Sequence, residues 1–115
     1  MTLVPLGSLD HDGYVTDESL EAIGKWDGDE REFFAALKPL WKYSDMPHQD
    51  AWCGWHEENG AGIMDEPVRR YNLSTGGWSG NESLVGAMER NIELWATTWV
   101  QTRRGGHYIF EVKMR

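Results

Sequence analysis

The sequence predicts a single α+β domain in which N-terminal helices pack with a small, mostly antiparallel sheet. Apolar residues recur at helical spacing in residues 16–43. In residues 67–115, two segments of alternating polarity enclose a glycine-rich loop and a helical segment, which gives the order strand, loop, helix, hairpin. A chain of 115 residues can bury one core, and neither a repeat nor a linker divides it, so we expect residues 1–115 to form one domain.

The first helix is predicted after an irregular arm at residues 1–15, which glycines and a proline interrupt. Thr16 has the side chain of an N-cap residue, whose oxygen accepts a hydrogen bond from a backbone N–H of the first turn. We therefore expect a short helix over residues 17–25, with Leu20 and Ile23 facing the core.

A second helix is predicted after Asp29, which forms a capping-box pattern with Glu32. Its apolar positions at helical spacing are Phe33, Phe34, Leu37, Leu40 and Trp41. Pro39 lacks a backbone N–H and disfavours helical geometry in the residue before it. We expect this helix to kink or restart near Lys38.

Residues 44–66 show neither a helical nor a strand period. Asn59 and Gly60 are typical of a tight turn, which favours a hairpin with one strand at residues 51–56 and another near Ile63. The pattern assigns no function to this segment.

The C-terminal part has the clearest patterns. Residues 68–74 alternate as a strand with Tyr71 and Leu73 on one face. After the glycine-rich loop, a helix is predicted from Leu84 to a C-cap at Asn91. Its apolar positions are Leu84, Val85, Met88 and Ile92.

Two further strands are predicted as a hairpin. Residues 94–101 are rich in aromatic and β-branched side chains, residues 103–106 supply a turn, and His107–Lys113 alternates with one apolar face. Trp95 and Trp99 share a face of the first predicted strand. They belong either to the core or to the wall of an aromatic pocket, and the sequence leaves both interpretations open.

Charge is unevenly distributed along the chain. The net charge is −8, with fifteen Asp and Glu against four Lys and Arg in residues 1–66, and four against seven in residues 67–115. The overall sign disfavours nonspecific DNA binding, whereas the acidic half predicts a surface that attracts basic partners. The single cysteine, Cys53, excludes an internal disulfide. Because the chain also lacks a membrane-length apolar run and a positively charged leader, we expect a cytoplasmic protein.

The glycine-rich segment at residues 75–83 is the first candidate site. Glycines let a ligand approach the backbone, and a helix that starts after them presents N–H groups and the positive end of its dipole. The predicted ligand-binding residues here are Gly77, Trp78, Ser79, Asn81 and Glu82, with the indole ring over a flat group of the ligand. The alternative is a structural turn in which Ser79 or Asn81 caps the helix and Trp78 packs on the core.

The second candidate site consists of Arg103, Arg104 and His107, which complete the predicted ligand-binding set. An arginine binds an anionic group through two parallel hydrogen bonds, and the histidine adds a donor. This interpretation requires the sheet order to bring the turn beside the glycine-rich segment. Otherwise the arginines only solubilise an exposed hairpin.

A metal site is not predicted, although His48, Cys53 and His56 form the nearest approach to one, with Asp50 or Glu57 as a fourth ligand. Structural zinc sites pair their Cys and His ligands at closer, repeated spacing. No third group orients Cys53 and His56 for nucleophilic catalysis, and the chain has no phosphate-loop, dinucleotide-binding or hydrolase motif. We therefore expect no catalytic residues, no cofactor and no metal.

The motif pair GGWSGNE at residues 76–82 and RRGGHY at residues 103–108 resembles a set of small proteins encoded by tailed bacteriophages, many of which infect actinobacteria. The resemblance covers roughly the last third of the chain and extends loosely to the helical segment at residues 33–41. The family is uncharacterised, so the resemblance implies an accessory role during infection and no particular chemistry.

Together these patterns favour a non-enzymatic accessory protein that binds a small anionic ligand, such as a nucleotide-like signal, or a peptide group. It would modulate a host or anti-phage defence process in the host cytoplasm. Two alternatives stay open, namely an acidic-surface inhibitor of a host protein or DNA mimic, and an enzyme acting on a small phosphorylated molecule. Seven tryptophans in a short chain also suit an interface, which favours a homo-oligomer.

Overall fold

A computed structural model describes residues 14–41, 53–62 and 64–114, and it confirms the α+β class. The elements are α1 (Asp17–Gly24), α2 (Glu30–Leu37), a 3-10 helix (Lys38–Leu40), β1 (Cys53–Ala61), β2 (Pro67–Thr75), α3 (Ser79–Arg90), α4 (Ile92–Thr98), β3 (Trp99–Arg103) and β4 (His107–Lys113). Most of the predicted arm, residues 42–52 and Ile63 lie outside the described residues. Among the described residues, no helix has both the length and the apolar character needed to cross a membrane.

The four strands form one antiparallel sheet in the order β1-β2-β4-β3. Leu73 of β2 lies opposite Trp55 of β1 on one side and Tyr108 of β4 on the other, so β2 and β4 are the central strands. Side chains alternate along each strand, and the register therefore gathers most of the buried apolar ones on a single face. The helices cover this face, which we call the covered face, and leave the opposite one as the open face.

The core lies between the helices and the covered face. The helical segments contribute Ile23, Phe33, Phe34, Leu37, Leu40, Trp41, Leu84, Val85, Ala87, Met88 and Leu94, and the sheet contributes Trp55, Tyr71, Leu73, Phe110 and Val112. Phe34 stacks on Tyr71 with ring centroids 4.3 Å apart and meets Phe110 at 5.4 Å. All five predicted apolar positions of the second helical segment are buried, which confirms its inward face.

The first two helices begin where the sequence predicts. Thr16 Oγ1 accepts a hydrogen bond from the N–H of Ser19 at 3.3 Å and caps α1. Asp29 caps α2 in the same way, by accepting from two backbone N–H groups of the first turn. The expected restart near Pro39 is confirmed as well, because the chain continues there as the 3-10 turn Lys38–Leu40.

The hairpin in the middle of the chain differs from the prediction. Asn59 and Gly60 lie inside β1, and the chain turns instead at residues 62–66. Asn59 faces Arg69 of β2, while a Cβ at position 60 would lie 2.7 Å from Nη1 of Arg70. The glycine therefore gives the Arg70 side chain room to cross the neighbouring strand and does not form a turn.

The prediction of one strand over residues 94–101 is wrong, because its first half belongs to α4. Asn91 Oδ1 caps this helix by accepting from the N–H of Leu94 at 3.1 Å. Only the part from Trp99 onward joins the sheet, as β3. Trp95 and Trp99 consequently share no strand face, although their rings stack with centroids 6.0 Å apart.

Helix α3 begins at Ser79, five residues before the predicted start at Leu84. Its predicted C-cap at Asn91 is confirmed, since the N–H of this residue donates to the carbonyl of Met88 at 3.0 Å. Ile92 is not part of the apolar stripe, because it starts the next helix and is 79% exposed.

Candidate functional site

The two segments of the motif pair lie side by side at one end of the sheet. Gly76 and Gly77 have φ angles of 63° and 75°, and Gly105 and Gly106 have 94° and 81°, so both turns use backbone that favours glycine. The N–H of Thr75 donates to the carbonyl of Gly106 at 3.0 Å. The sheet order thus meets the condition that the second candidate site required.

A row of polar side chains crosses the open face at this end. Ser74 of β2 lies opposite His107 of β4, and His107 lies opposite Arg103 of β3. Ser74 Oγ and His107 Nδ1 are 2.7 Å apart, with the direction of the hydrogen bond set by the histidine tautomer. This contact orients the imidazole on the open face.

A cavity of about 210 Å³ opens beside this row. Its walls are Asn72, Arg103, His107, Tyr108 and Ile109. Arg69 and Arg70 are both paired with glutamates. Neither Arg103 nor Arg104 forms an ion pair with any residue that the structure describes, and Arg103 Nε only donates to Gln101 Oε1 at 3.4 Å. The cavity wall therefore carries the guanidinium group of Arg103, which has no carboxylate partner among the described residues, and Arg104 follows it in the chain.

Asn72 and Ile109 line the cavity, although the sequence interpretation did not include them. They lie opposite each other on β2 and β4. The alternation that places Tyr71 and Leu73 on the covered face also places Asn72 on the open one. The alternation of β2 therefore already indicated the face on which Asn72 lies. It was used only to find the core residues, and it does not show which polar residues between them line a cavity.

Trp78 contributes to the structure of the turn and not to the cavity walls. It occupies the N-cap position of α3 without a side-chain cap, and its ring stacks on Tyr14 with centroids 4.7 Å apart. The indole also lies over Gly80, where a Cβ would stand 2.5 Å from Nε1. One face of the predicted aromatic platform is thus occupied by the protein itself.

Asn81 is completely buried, and its amide donates to the carbonyl of Thr75 at 3.4 Å. It supports the turn from inside and does not face a ligand. Ser79 is exposed, and its carbonyl accepts from Ser83 Oγ at 3.0 Å. Neither Ser79 nor Asn81 is the N-cap that the structural alternative predicted, since Trp78 holds that position.

Glu82 lies exposed in the first turn of α3, where its charge is favourable to the helix dipole. Burial, followed by the charges of Glu89 and Glu82, raises the pKa of Tyr108. Glu82 is thus close enough to influence one wall of the cavity with negative potential. Glu82 is not a wall residue of the cavity.

The residues considered as metal ligands are described only in part. His48, Asp50 and the side chain of Cys53 lie outside the described residues. His56 Nε2 is 3.2 Å from a carboxylate oxygen of Glu58 on the open face. In the described part of the chain, no group of three or more His, Cys, Asp or Glu side chains is placed to hold a metal ion.

Compared with models of known protein families, with curated proteins and with solved structures, the chain matches none of them. The interpretation of the site therefore depends on its own geometry. That geometry offers a guanidinium group, an imidazole, a side-chain amide and an apolar wall around one cavity.

Proposed function

We propose that this protein is a non-enzymatic binding protein that holds a small anionic ligand at the Arg103 end of its open sheet face. The observation that supports the proposal is the cavity at this end, with Arg103 in its wall and Arg104 as the next residue of the chain, neither engaged by a carboxylate of the described residues. A guanidinium without such a partner can bind a phosphate or carboxylate through two parallel N–H donors. His107 and Asn72 supply further polar contacts.

The ligand class is a nucleotide-like signal or the carboxylate of a peptide group. A phosphate or carboxylate lies against the arginines, the amide of Asn72 bonds a polar edge, and Ile109 packs against the apolar part. In the phage setting that the motif pair resembles, sequestering such a ligand would modulate a host or defence process.

Binding without turnover is favoured over catalysis by the surroundings of His107. Ser74 and His107 are of the residue types that form a nucleophile and its general base, and Ser74 Oγ lies 2.7 Å from His107 Nδ1. Ser74 is, however, completely buried, so its hydroxyl does not face the cavity as an attacking group. Comparing substrate and product by chromatography after incubation with a candidate nucleotide tests this distinction, because a binder leaves the nucleotide unchanged.

The first experiment is native mass spectrometry of protein purified from its natural host, with release and identification of any bound molecule. The second is a calorimetric titration with adenosine monophosphate, and with uncharged adenosine as the matched control. We expect the nucleotide to bind and the Arg103→Glu/Arg104→Glu variant to abolish binding. The control variant Arg90→Glu/Lys113→Glu makes the same change of charge at exposed positions outside this cavity and should retain binding. Unchanged affinity in the first variant would overturn the proposal.

A second candidate function is supported by the charge of the helical segments. Residues 14–41 and 76–98 contain ten Asp and Glu against four Lys and Arg, whereas the described residues of the sheet and its turns contain five of each. Such an acidic layer suits an inhibitor of a basic host protein or a DNA mimic. This function is distinguished from anion binding by a defined basic partner. The partner should bind the Arg103→Glu/Arg104→Glu variant as tightly as the unmodified protein, and high salt should release it.

A further inference from the structure

The two edges of the sheet differ in how far they are covered. β1 forms one edge, where Gly54 and Trp55 are buried and the carboxylates of Glu57 and Glu58 are held by arginines of β2. β3 forms the other edge, and all five of its residues are exposed. An edge strand presents backbone N–H and C=O groups that can pair with a further strand. β3 is therefore the edge at which this sheet is able to extend.

The sequence of β3 gives this edge little protection against pairing. Trp99 and Val100 are 42% and 41% exposed, and the strand contains neither proline nor lysine. Its protective features are its short length and a bulge between Trp99 and Gln101, which leaves Gln101 to Arg103 for regular pairing. So short an edge forms few backbone hydrogen bonds with a partner strand. Contacts beyond both ends of β3 must therefore contribute to the affinity.

The two ends of β3 carry opposite charge. At the end of the strand, Arg103 and Arg104 are exposed and form no ion pair with the residues that the structure describes. Before its start, Thr97 Oγ1 donates to Glu30 Oε2 at 3.5 Å, and Glu30 lines a small cavity together with Glu93. Within the described residues, these two carboxylates form no ion pair either. The strand thus runs from an acidic to a basic region.

Charges on the open-face side of the start of β3 cancel one another. Glu66 and Lys113 both line the cavity beside Val100, and Glu111 in the same wall is paired with Arg70. The negative potential at this end therefore comes from the helical layer, where Glu30 lies.

We propose that two copies of this chain form a dimer by antiparallel pairing of their β3 strands. A two-fold axis through the middle of β3 places the end of each strand beside the start of the other. Arg104 of one copy then lies on the side of Glu30 of the other copy, and this contact forms twice. The two four-stranded sheets become one continuous sheet. Trp99 and Val100 lose exposed surface to the neighbouring strand.

The charge pattern also selects the direction of pairing. Parallel β3 strands would place arginines beside arginines and carboxylates beside carboxylates, which is unfavourable. Each copy carries a net charge of −8, and this opposes association at long range. The attraction between opposite ends of β3 therefore has to act locally, at the interface itself.

This interface does not depend on the proposed anion site. Glu30 is not a wall residue of the anion cavity, so Glu30→Arg separates the two proposals. This variant should lose the dimer and keep the binding of adenosine monophosphate. Absence of a dimer from an unmodified protein that binds the nucleotide overturns only the dimer, and a dimer that does not bind the nucleotide overturns only the anion site.

The first test is sedimentation velocity from about 5 to about 500 µM protein, because interfaces at the small end of the size range bind weakly. Physiological ionic strength screens the long-range repulsion. We expect the unmodified protein to change from monomer to dimer within this range. Arg104→Glu and Glu30→Arg should each raise the dissociation constant about tenfold or more, because each replaces two attractions by two repulsions. Absence of the dimer, or an unchanged dissociation constant in either variant, overturns the proposal.

The second test mixes these two variants. In a mixed dimer, the substituted position 104 of one copy faces the substituted position 30 of the other, and the second contact keeps its original residues. Both contacts then join opposite charges, whereas a dimer of either variant with itself joins like charges. Native mass spectrometry separates mixed from like dimers by mass. We expect the mixed dimer to form with nearly the affinity of the unmodified protein, and a mixture without it contradicts the proposed contact.

Glu18→Arg is the matched control, because it reverses an exposed carboxylate in the first turn of α1, a helix that packs on α3. It should dimerise as the unmodified protein does, and a loss equal to that of Glu30→Arg would contradict a local role for Glu30. Amide hydrogen exchange locates the interface in the unmodified protein. The amides of β3 should exchange more slowly at high than at low protein concentration, while those of β1 should not change. Protection that leaves β3 unaffected overturns the proposal.

Discussion

The covered and open faces of the sheet come from the same four strands, yet different interactions hold them. On the covered face, Phe34 stacks on Tyr71 in a cluster of buried aromatic and aliphatic side chains. On the open face, Arg70 lies between two carboxylates, with Nη1 2.9 Å from Glu58 Oε2 and Nη2 2.8 Å from Glu111 Oε2. One face is closed by removing apolar surface from water, and the other is held by ion pairs that remain partly hydrated.

This difference assigns stability and binding to separate faces. Burying a large apolar side chain contributes about 1.5–3 kcal/mol, whereas a hydrated ion pair contributes about 0–1 kcal/mol. The covered face therefore supplies most of the stability of the domain. The open face is then able to carry polar groups such as Asn72, His107 and Arg103 without loss of the fold. Four predictions test this division.

The largest effect is expected from Phe34→Ala, because the ring is completely buried and contacts Tyr71, Trp55 and Phe110. We expect the free energy of unfolding to fall by about 3–5 kcal/mol, measured by urea denaturation. Ile109→Ala on the open face is the comparison and should lower it by about 1 kcal/mol, because that side chain is only partly buried. Similar losses in the two variants would contradict the division.

Asn91→Ala should have the next largest effect. The Asn91 amide donates to the carbonyls of Ile23 at 3.0 Å and Trp26 at 2.8 Å, and its oxygen caps α4. Losing the cap and both side-chain hydrogen bonds to these carbonyls should lower the free energy of unfolding by about 2 kcal/mol. Asn59→Ala removes one exposed hydrogen bond to Arg69 and should change it by about 0.5 kcal/mol or less. The ratio of these losses is the quantity to measure.

Arg70→Met should lower the free energy of unfolding by only about 1 kcal/mol at neutral pH. The hydrogen bond from Arg70, and then that from His56, lowers the pKa of Glu58 from its ordinary value of 4.5. A depressed folded pKa gives stability that is present above pH 4.5 and is lost as the pH falls through the folded value. The variant should therefore lose less stability between neutral and acidic pH than the unmodified protein. A steeper acid loss would contradict the role given to Arg70.

The smallest effect should appear only in alkali. Burial, and then the charge of Glu57, raises the pKa of Tyr71 above its ordinary value of 10.0. As the pH rises past 10.0, the unfolded chain loses the phenolic proton first, so stability falls through this range. Tyr71→Phe should reduce this alkaline loss, measured by urea denaturation on either side of the transition. Tyr108→Phe is the parallel variant, because burial also raises the pKa of Tyr108.

Local signals were sufficient for the elements that cap themselves or alternate clearly. Thr16 and Asp29 mark the starts of α1 and α2, and the alternation of His107–Lys113 identifies β4, because each signal acts within a few residues. The segment 94–101 misled the prediction, since its threonines and aromatic residues favour a strand. Thr98 Oγ1 instead donates to the carbonyl of Leu94 at 2.7 Å, and both side chains are buried at helical spacing.

The candidate site was predicted only in part. The motif pair contains Arg103 and His107, which line the cavity, and the buried Asn81, but it does not contain Asn72 and Ile109. Whether a strand residue lines a cavity depends on which residues of the neighbouring strand lie beside it. Asn72 and Ile109 lie opposite each other in the sheet, and the sequence pattern does not reveal this pairing.

By itself, the sequence determined the α+β class, the starts of α1 and α2 and the apolar face of the central strands, because capping and alternation are short-range effects. Only the tertiary structure decided that β2 and β4 are neighbours, that Gly60 accommodates Arg70, and that Oε2 of Glu66 is buried with no donor from the described residues. These features depend on residues far apart in the chain. They are set by the packing of whole strands and helices, in which long-range burial outweighs local preference.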